Sequence, residues 1–176
     1  MNVQAVEEAE QGPASPVHPR WVRMLLIAVA AVECLGVLPA FFVLTGDLSE
    51  VPGPGLAGWT ILATLILRPV LAIAALVLAL RGRLPQAIMA LGAVVLTHRL
   101  NLLPSAVLYG LAFEGSGDIY SSAHFLISPV PALAAMLLVW KDPRRLGLPA
   151  ILVSLPTIVE WLGILAFAIG VAIYGF

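Results

Sequence analysis

Residues 56–80 read LAGWTILATLILRPVLAIAALVLAL, from Leu56 to Leu80, and Arg68 is the one ionisable side chain among them. A helix of about 20 apolar residues crosses the hydrocarbon of a bilayer. In that medium water cannot satisfy the backbone, so a continuous apolar run of this length has to be helical. Working outward, four more apolar runs follow the same pattern, at 21–44, 84–111, 123–140 and 148–174. None alternates with the period of two that a membrane β-barrel requires. The expected fold class is therefore all-α: a polytopic transmembrane helical bundle of five spans, built from residues 20–176.

Composition supports this reading. The chain has 176 residues, 61% hydrophobic and 11% charged, with a mean hydropathy of +1.03. A water-soluble domain carries about a quarter charged residues, so this chain has too little polar surface to cover itself. A net charge of −1 offers no basic field for nucleic acid. The single cysteine, Cys34, excludes a disulfide framework, a redox pair and a cysteine-based zinc site. Residues 1–19 hold Glu7, Glu8 and Glu10, then Pro13, Pro16 and Pro19, without apolar periodicity. They read as a disordered cytoplasmic tail rather than a signal peptide.

The positive charges set the expected orientation. Seven of the nine Lys and Arg residues flank the runs: Arg20 and Arg23, Arg81 and Arg83, then Lys141, Arg144 and Arg145. Five alternating spans put all of these on one side. The opposite connections, 45–55 and 112–122, carry only acidic charges: Asp47, Glu50, Glu114 and Asp118. The positive-inside rule then places the N-terminus in the cytoplasm and the C-terminus outside a bacterial inner membrane.

Run two and run four also resemble each other. Arg68-Pro69-Val70-Leu71-Ala72-Ile73-Ala74-Ala75 is echoed 60 positions on by Ser128-Pro129-Val130-Pro131-Ala132-Leu133-Ala134-Ala135. Each run is followed by basic residues and then a Leu-Pro, at Leu84-Pro85 and Leu148-Pro149. The succeeding runs end in Leu108-Tyr109-Gly110 and Ile173-Tyr174-Gly175. This order predicts a duplicated helical hairpin in parallel orientation, with run one added in front.

Five ionisable residues fall near mid-run: Glu33, Arg68, His98, Arg99 and Glu160. A charge at the bilayer centre costs roughly 2.5–3.5 kcal/mol on insertion scales, so such groups turn inward and find partners. Two carboxylates stand against two permanent guanidiniums, with His98 and the nearby Asn101 as hydrogen-bonding members of one intramembrane network. Arg68 shares a helical face with Ala72, Ala75 and Ala79. Glu33 lies with Gly36 and Ala40, and Glu160 with Gly163 and Gly170. Small residues let helices approach closely, so these faces are expected to meet other helices. The network reads either as a structural clamp or as the lining of a proton or substrate path.

No catalytic, cofactor or metal site is expected. His18, His98 and His124 are kept apart by the topology, and haem ligation by His98 would need a second chain. The segment 114–118 with His124 reads as an acidic outer loop rather than a metal site. Walker, GxSxG, HExxH and dinucleotide motifs are absent from the sequence. The expected function is that of a multi-pass inner-membrane protein without its own catalytic centre, an accessory, interaction or structural subunit. Its partners would be the lipid bilayer and another membrane protein or further copies of itself, not nucleic acid. A small proton-coupled transporter or channel acting as a homo-oligomer is the alternative, and a lipid- or quinone-directed enzyme the third reading.

Overall fold

A computed structural model of the chain describes residues 19–40, 55–109 and 125–175. Five principal helices account for nearly all of them: α1 Arg20–Gly36, α2 Leu56–Leu80, α3 Leu84–Tyr109, α4 Pro129–Lys141 and α5 Gly147–Tyr174. No strand occurs among the described residues. The tail at 1–18 and the outer segment with His124 lie outside them.

Local chemistry explains the boundaries. Pro19 is extended (φ −54°, ψ 132°) and α1 starts immediately after it. α1 is interrupted at Val37 and helical again to Ala40; positions 41–44 of the expected 21–44 span lie outside the described residues. α2 and α3 are joined by Arg81-Gly82-Arg83. Gly82 has φ +74°, a left-handed conformation that glycine adopts without a Cβ penalty. The Arg83 amide donates back to the Leu78 carbonyl at 2.9 Å, closing the helix end. α4 is the short element. A helical turn at 125–127 breaks at Ser128, and Pro129 opens the 13-residue helix, a position where proline fits because no intrahelical donor is needed.

Among the described residues, three helices are long and apolar enough to cross a membrane: Arg20–Ala40, Leu56–Leu80 and Gly147–Tyr174. Phe125–Lys141 is apolar but shorter. α3 has the length but carries Gln86, Thr97, His98, Arg99 and Asn101.

α1, α3 and α5 run parallel and touch one another at the centre. α2 packs across α1 and α3, and α4 across α3 and α5. Trp21 beside Gly147 and Glu33 beside Thr157 show α1 and α5 in parallel. Arg23 Nη2 donates to the Leu80 carbonyl at 2.6 Å, while Arg68 reaches Glu33, so α2 runs antiparallel to α1. The main core lies toward the end that holds Arg23 and the α2–α3 and α4–α5 turns. It is filled by Val22, Leu26, Ala79, Ile88, Leu91 and Val153.

The packing is inside out for an aqueous protein. Ala72, Ala75, Ala79, Ala132 and Ala135 are fully buried, whereas Leu67, Val70, Ile73, Leu133, Leu137 and Trp140 are exposed. Water does not tolerate such a continuous apolar surface, and close packing through small residues is how helices associate in lipid. The described residues, all-helical with an apolar exterior, fit a membrane protein.

Burial repeats along the chain. Buried Ala72, Ala75 and Ala79 of α2 are matched 60 positions on by Ala132, Ala135 and Val139 of α4. From Leu84 to Gly92 the succession of buried, half-buried and exposed positions recurs 62 positions on, from Leu146 to Ser154. The register differs from the Leu-Pro pairing expected from the sequence: Leu84 corresponds to Leu146, not to the exposed Leu148. The connection 142–146 is two residues longer than 81–83, which moves the second helix of the later hairpin by that amount.

Gly92 is the tightest approach between α3 and α4. A Cβ there would stand 2.6 Å from both Cγ and Sδ of Met136. Overpacking of this kind costs roughly 1–3 kcal/mol. Gly92→Ala is therefore expected to lower the thermal unfolding temperature in detergent, and Met136→Ala added to it should recover part of the loss. Unchanged melting of Gly92→Ala would count against this packing.

Candidate functional site

At the depth where α1, α3 and α5 converge, the apolar core gives way to charge. Glu33 on α1 is 5% exposed. Its Oε2 lies 3.2 Å from Arg68 Nη2 of α2. Its Oε1 accepts a 2.7 Å hydrogen bond from the Thr157 hydroxyl of α5. One carboxylate is thus held by two other helices, and both of its oxygens are satisfied. This matters because breaking a buried pair strands a charge, a far larger loss than the pair's net contribution.

The local sequence favours this arrangement. Gly36, one turn beyond Glu33, faces Trp161 and Arg68, and a Cβ there would make ordinary van der Waals contact with both, 3.9 Å from Trp161 Cζ2 and 4.0 Å from Arg68 Nη2. Pro69 and Pro156 stand inside α2 and α5 beside Arg68 and Thr157. A proline inside a helix removes one backbone hydrogen bond and locally opens the turn. The backbone is thereby loosened at the same depth on both elements.

A second pair lies beside the first. His98 Nε2 of α3 is 3.8 Å from Glu160 Oε1 of α5, and the two side chains are 21% and 33% exposed. Arg99, next along α3, stands 6.0 Å from the centre of the Phe125 ring, within cation–π range. It is also within electrostatic range of Glu160, Arg68 and Glu33. Glu33, Arg68, His98, Arg99, Thr157 and Glu160 surround one small cavity, closed by Val95 and Pro156. It leaves about 10 Å³ for the centres of water-sized molecules, room for about one water. Arg68 Nε is buried without a hydrogen-bond partner among the described residues.

Five of the six residues expected to form an intramembrane network are thus brought together. Asn101 is not. It sits toward α2, with Oδ1 2.9 Å from the Thr64 hydroxyl. Thr64 is also within 2.9 Å of the Thr60 and Ile61 carbonyls, so its single proton is shared among them. This α2–α3 contact is separate from the charge cluster. Gly163 and Gly170 also depart from expectation: a Cβ at either would meet nothing within 4 Å, so neither admits a neighbouring helix of the described chain. Thr157, absent from the expected network, is the second partner of Glu33. Its position three residues before Glu160, on the same helical face, is the one sequence signal that points to it.

Among the described residues, no three His, Cys, Asp or Glu side chains gather as a metal site would require. Cys34 is a free thiol, half-buried next to Glu33 in the chain. The cluster can fix helix positions and can hold or pass a proton. The chain matches no family model, and no curated protein or solved structure shows detectable similarity to it.

Replacing one member of the Glu33–Arg68 pair should therefore be costly. Glu33→Leu or Arg68→Leu alone is expected to destabilise the protein by roughly 3–5 kcal/mol, and the double replacement by clearly less. Thermal melting of the three variants in one detergent checks this. Additive losses in the double variant would show that the two side chains do not act as a pair.

Proposed function

We propose that the chain is a five-span protein of the bacterial inner membrane that serves as an accessory or structural subunit, with no catalytic centre of its own. The observation that carries this reading is the two-point hold on Glu33. A carboxylate fixed by Arg68 and Thr157 from two other helices acts as a clamp that sets helix order and register.

Several features support five spans. The basic segments around Arg23, Arg81 and Lys141 gather at one end of the bundle, because Trp21 meets Gly147 and Arg23 meets Leu80. The segment Phe125–Lys141 would extend over about 25 Å at 1.5 Å per residue, close to the ~30 Å of hydrocarbon. The recurrence of burial from α2–α3 to α4–α5 supports two copies of one hairpin in the same orientation. The N-terminus then lies in the cytoplasm and the C-terminus outside.

A reporter fused after Phe176 tests the topology. A periplasmically active enzyme is expected to be active there, and a fluorescent protein that matures only in the cytoplasm is expected to be dark. A bright cytoplasmic fusion would remove one span, and α4 is the element it would remove.

The His98–Glu160 pair favours a second reading, a proton-coupled transporter. It is the more exposed part of the cluster and adjoins a cavity that fits one water. Under that reading Glu160→Gln abolishes proton flux in liposomes containing this chain alone and leaves melting unchanged.

A further inference from the structure

The three central helices are related by one register. Buried Val22, Leu26, Val29, Ala30 and Glu33 of α1 correspond, 62 positions on, to Leu84, Ile88, Leu91, Gly92 and Val95 of α3. A further 62 positions on come Leu146, Ala150, Val153, Ser154 and Thr157 of α5, also buried. Three parallel helices make three outward furrows. α2 covers the furrow between α1 and α3, and α4 covers the one between α3 and α5. The third, between α5 and α1, is uncovered among the described residues, a groove of about 430 Å³ walled by Ala28 and Val32 on one side and Ile158, Trp161 and Leu162 on the other, among other apolar residues.

Exposure at equivalent positions locates what is uncovered. Val94 of α3 is fully buried, whereas the equivalent Val32 of α1 is only half-buried. Trp161 of α5 is 39% exposed where the equivalent Val37 of α1 is 3% exposed. Ala28 is exposed where Ala90 and Leu152 are half-buried. In each comparison the exposed member faces the groove, and its counterpart is covered by α2 or by a neighbouring hairpin.

We infer that this groove is the docking seat for one transmembrane helix of a different membrane protein, lying antiparallel to α1 and α5 as α2 and α4 do. The occupant presents small residues at the spacing of Ala72, Ala75 and Ala79, because that is the face by which such a furrow is closed twice in this chain. At the depth of Arg68 it passes Thr157, which lines both the groove and the charge cluster, so a hydrogen-bonding or basic side chain suits it there. A second copy has no such helix to lend: the alanine faces of its own α2 and α4 are fully buried. The tail at 1–19 is too acidic and proline-rich to serve. The inference deepens the accessory-subunit reading and rests on it.

The test is photo-crosslinking on the full-length chain in nanodiscs. A photoreactive residue is placed at Val32 or Leu162 in the groove, and at Ile73 or Leu133 on the exposed faces of α2 and α4 as controls. The probe is a synthetic peptide with the sequence of residues 55–83; the comparison peptide carries leucine in place of its three face alanines. Val32 and Leu162 should label the first peptide roughly tenfold more than the second, a difference of about 1.4 kcal/mol in binding, and the control positions should label neither. Ala28→Phe, which fills the groove from an exposed position, should abolish labelling with unchanged melting. In native membranes both groove positions should crosslink to one polypeptide other than this chain. Equal labelling by the two peptides, labelling at Ile73 or Leu133, lipid adducts alone, or chain dimers alone would each overturn the inference. The reporter fusion after Phe176 separates the cases: with the fusion pattern intact, failed crosslinking sinks the docking seat but leaves the five-span reading standing.

Discussion

A carboxylate in an apolar helix bundle constrains everything around it. Glu33 reaches its low-dielectric position only because a guanidinium from α2 and a hydroxyl from α5 arrive at the same depth. That requirement places α1 between α2 and α5, sets α2 antiparallel to it and α5 parallel, and fixes the axial position of all three. Shifting any one helix by a turn, about 5.4 Å, would separate these partners and leave a charge or a hydroxyl unsatisfied. In hydrocarbon such a shift has no water to compensate it. Apolar contacts between Leu and Ala surfaces resist sliding far less, since lipid replaces them at little cost. The polar contacts therefore specify register, and the alanine faces supply proximity.

Proximity in turn depends on what is missing from the side chains. The buried faces of α2 and α4 are Ala72, Ala75, Ala79, Ala132 and Ala135, and Gly92 admits Met136 of α4 against α3. Large residues on those faces would hold the helices too far apart for Arg68 to reach Glu33. The bulky apolar side chains are turned outward, where lipid receives them without penalty. The division of labour between small interior and large exterior is the one expected where the solvent is hydrocarbon rather than water.

Much of this was legible in the sequence, and the misses have physical reasons. Apolar run length announced the helices, because a backbone in lipid has few alternatives. Depth alone paired Glu33 and Glu160 with cationic neighbours, since charges so placed cannot remain single. Asn101 was assigned to the same network on sequence proximity to His98, but its three-residue step around α3 turns it toward Thr64. Gly163 and Gly170 were read as contact points because small residues often are, but among the described residues nothing stands within 4 Å of a Cβ at either. The Leu-Pro pairs suggested a register that burial corrects by two residues. Proline marks where a helix starts easily, not which face it buries. Thr157 had no readable partner 124 residues away, because a hydroxyl is neutral and sequence depth does not compel its pairing.

A bundle made from similar hairpins faces a particular ambiguity: α2 and α4 present nearly the same alanine face, so packing alone does not decide which of them lies against α1. The charge layer resolves it. At the position where α2 carries Arg68, α4 carries Ser128. At the matching level α1 carries Glu33, where α3 has Val95 and α5 has Thr157. Exchanging the hairpins would set serine against the carboxylate and press a guanidinium toward valine, stranding two charges at once. A single buried ion pair is often a poor source of net stability, yet it is effective at penalising the wrong arrangement. In this chain the pair distinguishes between two helices with similar alanine faces, a physical reason for Glu33 not to recur at the equivalent positions, Val95 of α3 and Thr157 of α5.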